Sequence, residues 1–276
     1  MRQVFTMLVV SAIAACGSGS GSTDTEFTYA TEPREVTIAS PGAEPRQTVA
    51  YAMNGPRASA RISLETGTAR DGEIDDDGLG FTAKLEWSRT TSDAGRAIYS
   101  FRARDVVSNR RLDMSEDERK VVETIDKALA SVVGQARVTR SGDLELVQLA
   151  GMSTLPSWLG ILHEVIVPLP SSPVGVGARW HTKQQLTADG STVIDERDYE
   201  VLEIDGDTLR VLVVGRATTK GNPKAEMAID TRGEAVIDLA DPLPRSATLL
   251  SKQHLKFADV PDDDGTPHLV RLTLEH

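Results

Sequence analysis

Cysteine occurs once in these 276 residues, at position 16. A single thiol excludes an intrachain disulfide and every Cys-rich metal site. The folded part must therefore be held by its core, and the chain is long enough to build one. Aromatic residues make up only 4%, which argues against a carbohydrate cleft, where stacked Trp and Tyr rings do the holding. Basic residues are outnumbered, with 30 Lys and Arg against 41 Asp and Glu and a formal charge of −11. Such a chain is repelled by phosphate backbones and anionic headgroups. The densest basic set is Arg102, Arg104, Arg110 and Arg111, and Asp105, Asp113 and Glu116 to Glu118 surround it. No nucleic-acid partner is expected.

The motifs of catalysis are missing too. His163, His181, His254, His268 and His276 form no HExxH pattern and no close ligand pair. There is no Gly-x-Ser-x-Gly elbow and no phosphate-cradling Gly-Lys-Ser/Thr loop. Ser153, Ser171 and Ser172 have no evident base. The loops Glu73 to Gly78 and Asp262 to Gly265 match half of an EF-hand, but its twelfth-position acid falls on Lys84 and Arg271. Both read as solvated turns. The expectation is no enzyme, no cofactor and no metal.

What is present starts with an address. Arg2 precedes Val4 to Ala15, an apolar run broken only by Thr6 and Ser11. The run is too short to span a bilayer and ends in small residues, so residues 1–15 read as a signal peptide. Ile13-Ala14-Ala15-Cys16 resembles the lipobox of bacterial lipoproteins. The resemblance implies cleavage between Ala15 and Cys16 and a thioether-linked diacylglycerol on Cys16. Several acyl chains anchor where one cannot, because each buried methylene adds about 0.8 kcal/mol. The membrane is then a partner through the anchor. Gly17 stands where an aspartate would signal inner-membrane retention. The lean is to the outer membrane facing the periplasm, over the inner membrane or the cell surface. Residues 16–45 are rich in Gly, Ser, Thr, Pro and acids and read as a flexible linker.

Residues 46–276 read as one β-rich domain. Ala58, Ala60, Ile62 and Leu64 alternate with polar residues, and Phe81, Ala83, Leu85 and Trp87 do the same. Such alternation belongs to an antiparallel sheet wet on one face. Thr48 to Met53 and Ala97 to Val107 are further strand candidates. Ser115-Glu116-Asp117-Glu118 is a capping box. Val121, Val122, Ile125, Leu129, Val132 and Val133 then form an apolar stripe at helical spacing, ended by Gly134. A second helix is expected over about Leu155 to Val165. Hairpin turns are expected at 140–143, 205–207 and 230–233, and the last strand pair at about Leu255–Ala258 and Leu269–Leu274. The strings 138–143 and 229–234 share a spacing of aliphatic, Gly and acid. That admits two similar halves, 46–150 and 171–276, within one sheet.

The string Pro168 to Trp180 includes Pro173-Val174-Gly175-Val176-Gly177-Ala178-Arg179-Trp180. It resembles a family of uncharacterised bacterial envelope lipoproteins with a Pro-Val-x-Val-Gly-Asp-x-Trp motif. Ala178 replaces the aspartate. The resemblance brings no activity with it, and Pro173, Val174, Gly177 and Trp180 are expected to be structural. The fold expected is α+β and mainly antiparallel β, one large curved sheet packed with one or two amphipathic helices. The function expected is a non-enzymatic binding module for a lipid or other hydrophobic ligand. The alternative is a structural protein docking another envelope protein.

Overall fold

Where apolar and polar residues alternate, a strand can bury one face and wet the other. The computed structural model describes residues 27–30, 33–54, 58–70, 73–74, 80–93, 95–108, 115–130, 133–150, 163–188, 191–220, 225–257 and 268–275. Residues 1–15, expected to be a signal peptide ending at Ala15, and Cys16, the expected lipid attachment, lie outside them. The strands are β1 (Phe27–Ala30), β2 (Glu35–Ser40), β3 (Ala58–Arg70), β4 (Glu73–Ile74), β5 (Gly80–Asp93) and β6 (Arg96–Ser108). After helix α1 (Glu116–Ala130) come β7 (Val133–Thr139) and β8 (Leu144–Ala150). The second half adds β9 (Arg179–Ala188), β10 (Ser191–Asp205), β11 (Thr208–Lys220), β12 (Ala225–Asp238), β13 (Asp241–Phe257) and β14 (His268–Glu275). All belong to one sheet in the order β1-β8-β7-β6-β5-β3-β14-β13-β12-β11-β10-β9-β2, with β4 paired to β3. The fold is mainly antiparallel β.

Its two edges are β1 and β2, which are neighbours in sequence. Five Cα steps join Ala30 to Glu35, a reach of at most about 18 Å. Laid flat, the twelve gaps of that strand path would put the edges about 58 Å apart. The sheet must therefore curl enough to bring Ala30 and Glu35 within that reach, though β1 and β2 do not pair and the sheet stays open. Its inner face closes on one apolar cluster that takes residues from both ends of the strand order, including Leu85, Trp87, Phe101, Trp180, Leu209 and Leu249.

One end of the curled sheet is sealed by two irregular segments. Residues 41–54 run beneath the hairpin turns. Tyr51 N–H donates to Arg140 O, Ala52 N–H to Leu239 O, and Gln47 exchanges two backbone bonds with Val174. Residues 163–178 run beside them, and Val165, Ile166, Val167 and Leu169 are each within 2% of full burial. Tyr51 Oη donates to Val167 O at 2.9 Å, and Trp180 Nε1 to Pro168 O at 2.9 Å. Gly175 packs so closely that an added Cβ would stand 1.8 Å from Ala43 O.

The outer face carries charge. Lys183 pairs with Glu196, Arg179 with Glu200, Arg210 with Glu203 and Glu234, and Arg216 with Asp230. These are cross-strand neighbours, which helps set the register. A membrane-spanning barrel shows an apolar band there instead. Among the described residues, no helix is long and apolar enough to cross a membrane.

Several expectations need correction. Residues 35–45 belong to the fold and not to a flexible linker, since β2 pairs with β9 and Gly42 packs under Val176. Thr48 to Met53 is an extended core segment, because its backbone bonds go to turns and not to a neighbouring strand. α1 begins after Ser115 as the capping box predicts, and Val122 is buried. It ends sooner, however, since Val133 and Gly134 open β7. The expected helix over 155–165 is described only at 163–165, which form a helical turn. The turn at 140–143 and the turn after Asp205 are found, but 230–233 lies in mid-strand in β12. The chain turns instead at Leu239-Ala240 and enters the 17-residue β13 despite Pro242 and Pro244. A register shift between Val236 and Asp238 takes up those prolines. One of the two matched strings is thus a turn and the other a strand, so the spacing no longer supports two similar halves.

Gly233 and Gly206 make a contrasting pair. A Cβ on Gly233 would meet Thr248 O at 2.0 Å and Leu249 Cα at 2.8 Å, whereas Gly206 has open space at φ +58. Gly233→Ala is expected to cost about 3 kcal/mol through forced strand separation, and Gly206→Ala about 1 kcal/mol through its left-handed backbone alone. Denaturant unfolding of both variants checks the order, and equal losses would contradict it.

Candidate functional site

Antiparallel pairing lines up the inward side chains of neighbouring strands as rows. One row is Trp180, Tyr199, Val213, Gly233 and Leu249, across β9 to β13. It is apolar apart from the Tyr199 hydroxyl. Trp180 and Tyr199 stack there with ring centroids 5.3 Å apart. The next row away from the sealed end is Thr182, Arg197, Gly215, Thr231 and Ser251, and the one after it is Gln184, Asp195, Ala217, Ile229 and Gln253. The inner face thus changes from apolar to polar along the strands. Thr182, Gln184, Asp195, Arg197 and Thr231 are all buried.

The polar rows meet the helical turn at 163–165. Arg197 Nε donates to Asp195 Oδ1 and Oδ2 at 3.1 and 3.0 Å, its Nη2 lies 2.9 Å from Glu164 Oε1, and its Nη1 donates to Glu164 O at 3.3 Å. Gly215 leaves the lane for this side chain, since a Cβ would come within 2.8 Å of Arg197 Cγ. Arg34, between β1 and β2, enters from the seam of the sheet. Its Nε donates to Gln184 Oε1, its Nη1 to Ile166 O and its Nη2 to His163 O, at 3.2, 3.4 and 3.0 Å. His163 Nε2 lies 2.6 Å from the same Gln184 oxygen. A Gln carbonyl oxygen only accepts, so His163 carries its proton on Nε2.

Burial and the Arg34 charge push His163 down to about 3, so it is neutral and no base at physiological pH. Burial pushes Asp195 up, but Arg197, through its charge and its hydrogen bonds, together with His163 and Arg34 holds the carboxyl below its ordinary value. Arg197 is held above its own by Glu164 and Asp195, against burial. Tyr199 is raised, mainly by burial. Two guanidinium groups face two carboxylates, so the cluster is neutral overall. Its chemistry is that of a clasp, which docks residues 163–166 on the sheet. Glu164 Oε2 is buried without a partner.

Beyond the clasp the inner face is less covered. Val211, Val213, Ala235, Ala247 and Leu249 are buried at the sealed half. Ala217, Thr219, Ile229, Ser251 and Gln253, inward on the same strands, are only half-buried. Small side chains dominate there, and Thr231 Oγ1 and Ser251 Oγ bond at 2.8 Å. The inner face of β11 to β13 beyond the clasp thus presents apolar side chains at Met227 and Ile229 and hydroxyls at Thr231 and Ser251.

The motif residues lie at the sealed end, away from these half-buried positions. Val174 is buried, Gly177 has φ +79, Trp180 is buried, and Pro173 is exposed. Ala178 is buried too, with 0% exposure, so an aspartate would be costly at that position here. Sequence reading missed Arg34, Gln184, Asp195 and Arg197. The signal for two of them was in β10, where Asp195 and Arg197 stand in the phase of Val193, Tyr199 and Val201. Among the described residues, no three His, Cys, Asp or Glu side chains are grouped to hold a metal. No protein-family model matches the sequence, and no curated protein is significantly similar to it.

Removing Arg197 leaves the buried Asp195 carboxylate without its ion-pair partner and frees Glu164 from the same guanidinium. Arg197→Met is expected to cost about 3–5 kcal/mol at pH 7. The sign of the pH dependence should reverse as well. In the parent chain Asp195 is held low, so its contribution is present above the ordinary carboxylate range and lost on acidification. In the variant the unpaired Asp195 is raised, so acidification towards pH 4 relieves the penalty. Melting curves at pH 7 and pH 4.5 should show a smaller gap between the two proteins at the lower pH, and a constant gap would refute the clasp.

Proposed function

We propose that this chain is a lipid-anchored, non-enzymatic binding module of the bacterial cell envelope, held through Cys16 on the outer membrane and facing the periplasm. The inner face of β11 to β13 beyond the clasp is its ligand-facing surface. The observation that carries this reading is the half-burial of Ala217, Thr219, Ile229, Ser251 and Gln253 on strands whose inner residues towards the sealed end, Val211, Val213, Ala235, Ala247 and Leu249, are buried. Met227, Ile229 and Ala217 suit an apolar body, and Thr231, Ser251 and Gln253 suit polar groups, so the ligand class is a lipid or a similar amphiphile. The sealed half offers such a ligand no room, because Tyr51, Val165, Ile166, Val167 and Leu169 already cover it. The charged outer face suits water and leaves anchoring to the thioether-linked lipid.

Two measurements test the parts separately. Cys16→Ser is expected to move the protein from the membrane fraction to the soluble fraction, and retention in the membrane would remove the anchor from the account. Native mass spectrometry of residues 24–276 is expected to show extra mass that disappears on organic extraction, and less of it in Ala217→Leu, which adds bulk to that face. A clean apo mass with no dye binding to apolar surface would sink the ligand and favour docking of another envelope protein.

A further inference from the structure

The outer face of the sheet does not carry its charge evenly. On β9 to β11, Arg179, Lys183 and Arg216 each have a carboxylate of their own, and Arg210 has two. On β5 and β6 three cations crowd around one. Lys84 Nζ stands 4.0 Å from Glu86 Oε1, Arg104 Nε donates to Glu86 Oε2 at 3.0 Å, and Arg102 Nε donates to the same oxygen. Arg61, the cross-strand neighbour of Lys84 on β3, adds a fourth. Arg61, Lys84 and Arg104 are exposed, and Arg102 is half-buried. Asp105 beside Arg104 and Glu275 opposite Arg61 offset part of this charge. Four cations against three carboxylates still leave a positive patch on a chain of net charge −11.

The same area carries exposed apolar groups. Val107 and Val133 are 58% and 51% exposed, more than any other large apolar side chain among the described residues. Val133 is the cross-strand neighbour of Arg102, and Val107 follows Arg104 by three residues on β6. A single exposed valine is ordinary. Two beside a cationic cluster make a surface suited to a bilayer, with cations for phosphates and apolar groups for the boundary beneath them.

The chain also enters the sheet here. Phe27, the first residue of β1, is in register with Leu149, Gly134 and Phe101 across β8, β7 and β6. Those strand gaps place it about 14 Å from β6, and Arg102 is the next residue after Phe101. From Phe27 back to Cys16 the chain can span at most about 40 Å. A lipid on Cys16 therefore keeps this face within reach of the membrane.

We propose that the outer face of β5 to β7 is the surface on which the domain rests against its own membrane, with Arg61, Lys84, Arg102 and Arg104 taking anionic phospholipid headgroups and Val107 and Val133 entering the interface. This contact presupposes the anchor at Cys16. The anchor holds the chain at the bilayer, and the patch sets which way the domain faces. Charge asymmetry does the turning, because an anionic surface repels the acidic remainder and draws the patch. At physiological salt, where charges are screened beyond about 8 Å, the patch alone is too weak to hold a chain that lacks the lipid.

Residues 17–276 include every residue the structure describes and carry no lipid, so their sedimentation with vesicles reads the patch without the anchor. At low ionic strength they are expected to sediment with phosphatidylglycerol vesicles and not with phosphatidylcholine vesicles, and to be released as salt is raised. Lys84→Gln with Arg104→Gln should cut that partition about tenfold or more, since each basic residue near an anionic surface is worth roughly fivefold. Arg179→Gln with Lys183→Gln removes the same charge from β9 and should leave it unchanged. All four side chains are exposed, and both variants should melt as the parent does. Val107→Ser with Val133→Ser, unchanged in charge, should also bind less. Equal sedimentation with both lipids, none with either, equal losses in the two charge variants, or a valine variant as tight as the parent would overturn the proposal. Fractionation of Cys16→Ser reads the anchor by itself, so the two failures are told apart.

Discussion

Four residues separate β1 from β2, yet those strands are opposite edges of a thirteen-strand path. The rest of the structure follows from that constraint. A chain this short cannot cross a flat sheet, so the sheet curls. A curled sheet has an inside, and the inside has to be filled. Strand side chains fill part of it. The remainder at the sealed end is taken by two irregular segments, 41–54 and 163–178. Irregular backbone in a core is costly unless its polar groups find partners. Here they do, through the hairpin turns, the Gln47–Val174 bridge and the hydroxyl and indole donors of Tyr51 and Trp180.

Arg34 stands at the seam itself, and its position explains why a charged cluster lies inside. Its guanidinium reaches backbone carbonyls of His163 and Ile166, so it ties the closure of the sheet to the segment that fills it. Arg197 does the same from β10 through Glu164. Buried ion pairs of this kind add little net stability, because desolvation offsets the attraction. Their directional bonds do specify one arrangement of the segment. An apolar plug could slide along an apolar wall, and one held by two guanidinium forks cannot.

The same polar rows divide the inner face into two regions. Towards the sealed end the rows are apolar and covered. Past the clasp they are small, partly polar and half-covered. The aromatic stack of Trp87, Tyr99 and Phe101 belongs to the closed end.

Much of this was legible in the residues. Alternation placed the strands around Ala60, Ile62, Phe81 and Trp87 and chose their inner face, because period-two burial is written in local order. Gly142 and Gly206 marked real turns, because only a few residues tolerate a left-handed backbone. Ser115 and Glu118 marked the start of α1. Other features depended on partners distant in sequence. Gly233 looked like a turn, but it is the flat spot where Thr248 and Leu249 approach in the next strand. Asp195 and Arg197 broke the alternation of β10, and only Glu164, Gln184 and Arg34 show why. Residues 35–45 have the composition of a tether, yet they close the sheet, because β9 offers an unpaired edge. Local sequence therefore determined strand phase, turns and the helix start. Tertiary structure decided the curl and the clasp, because each depends on which distant groups share one buried space.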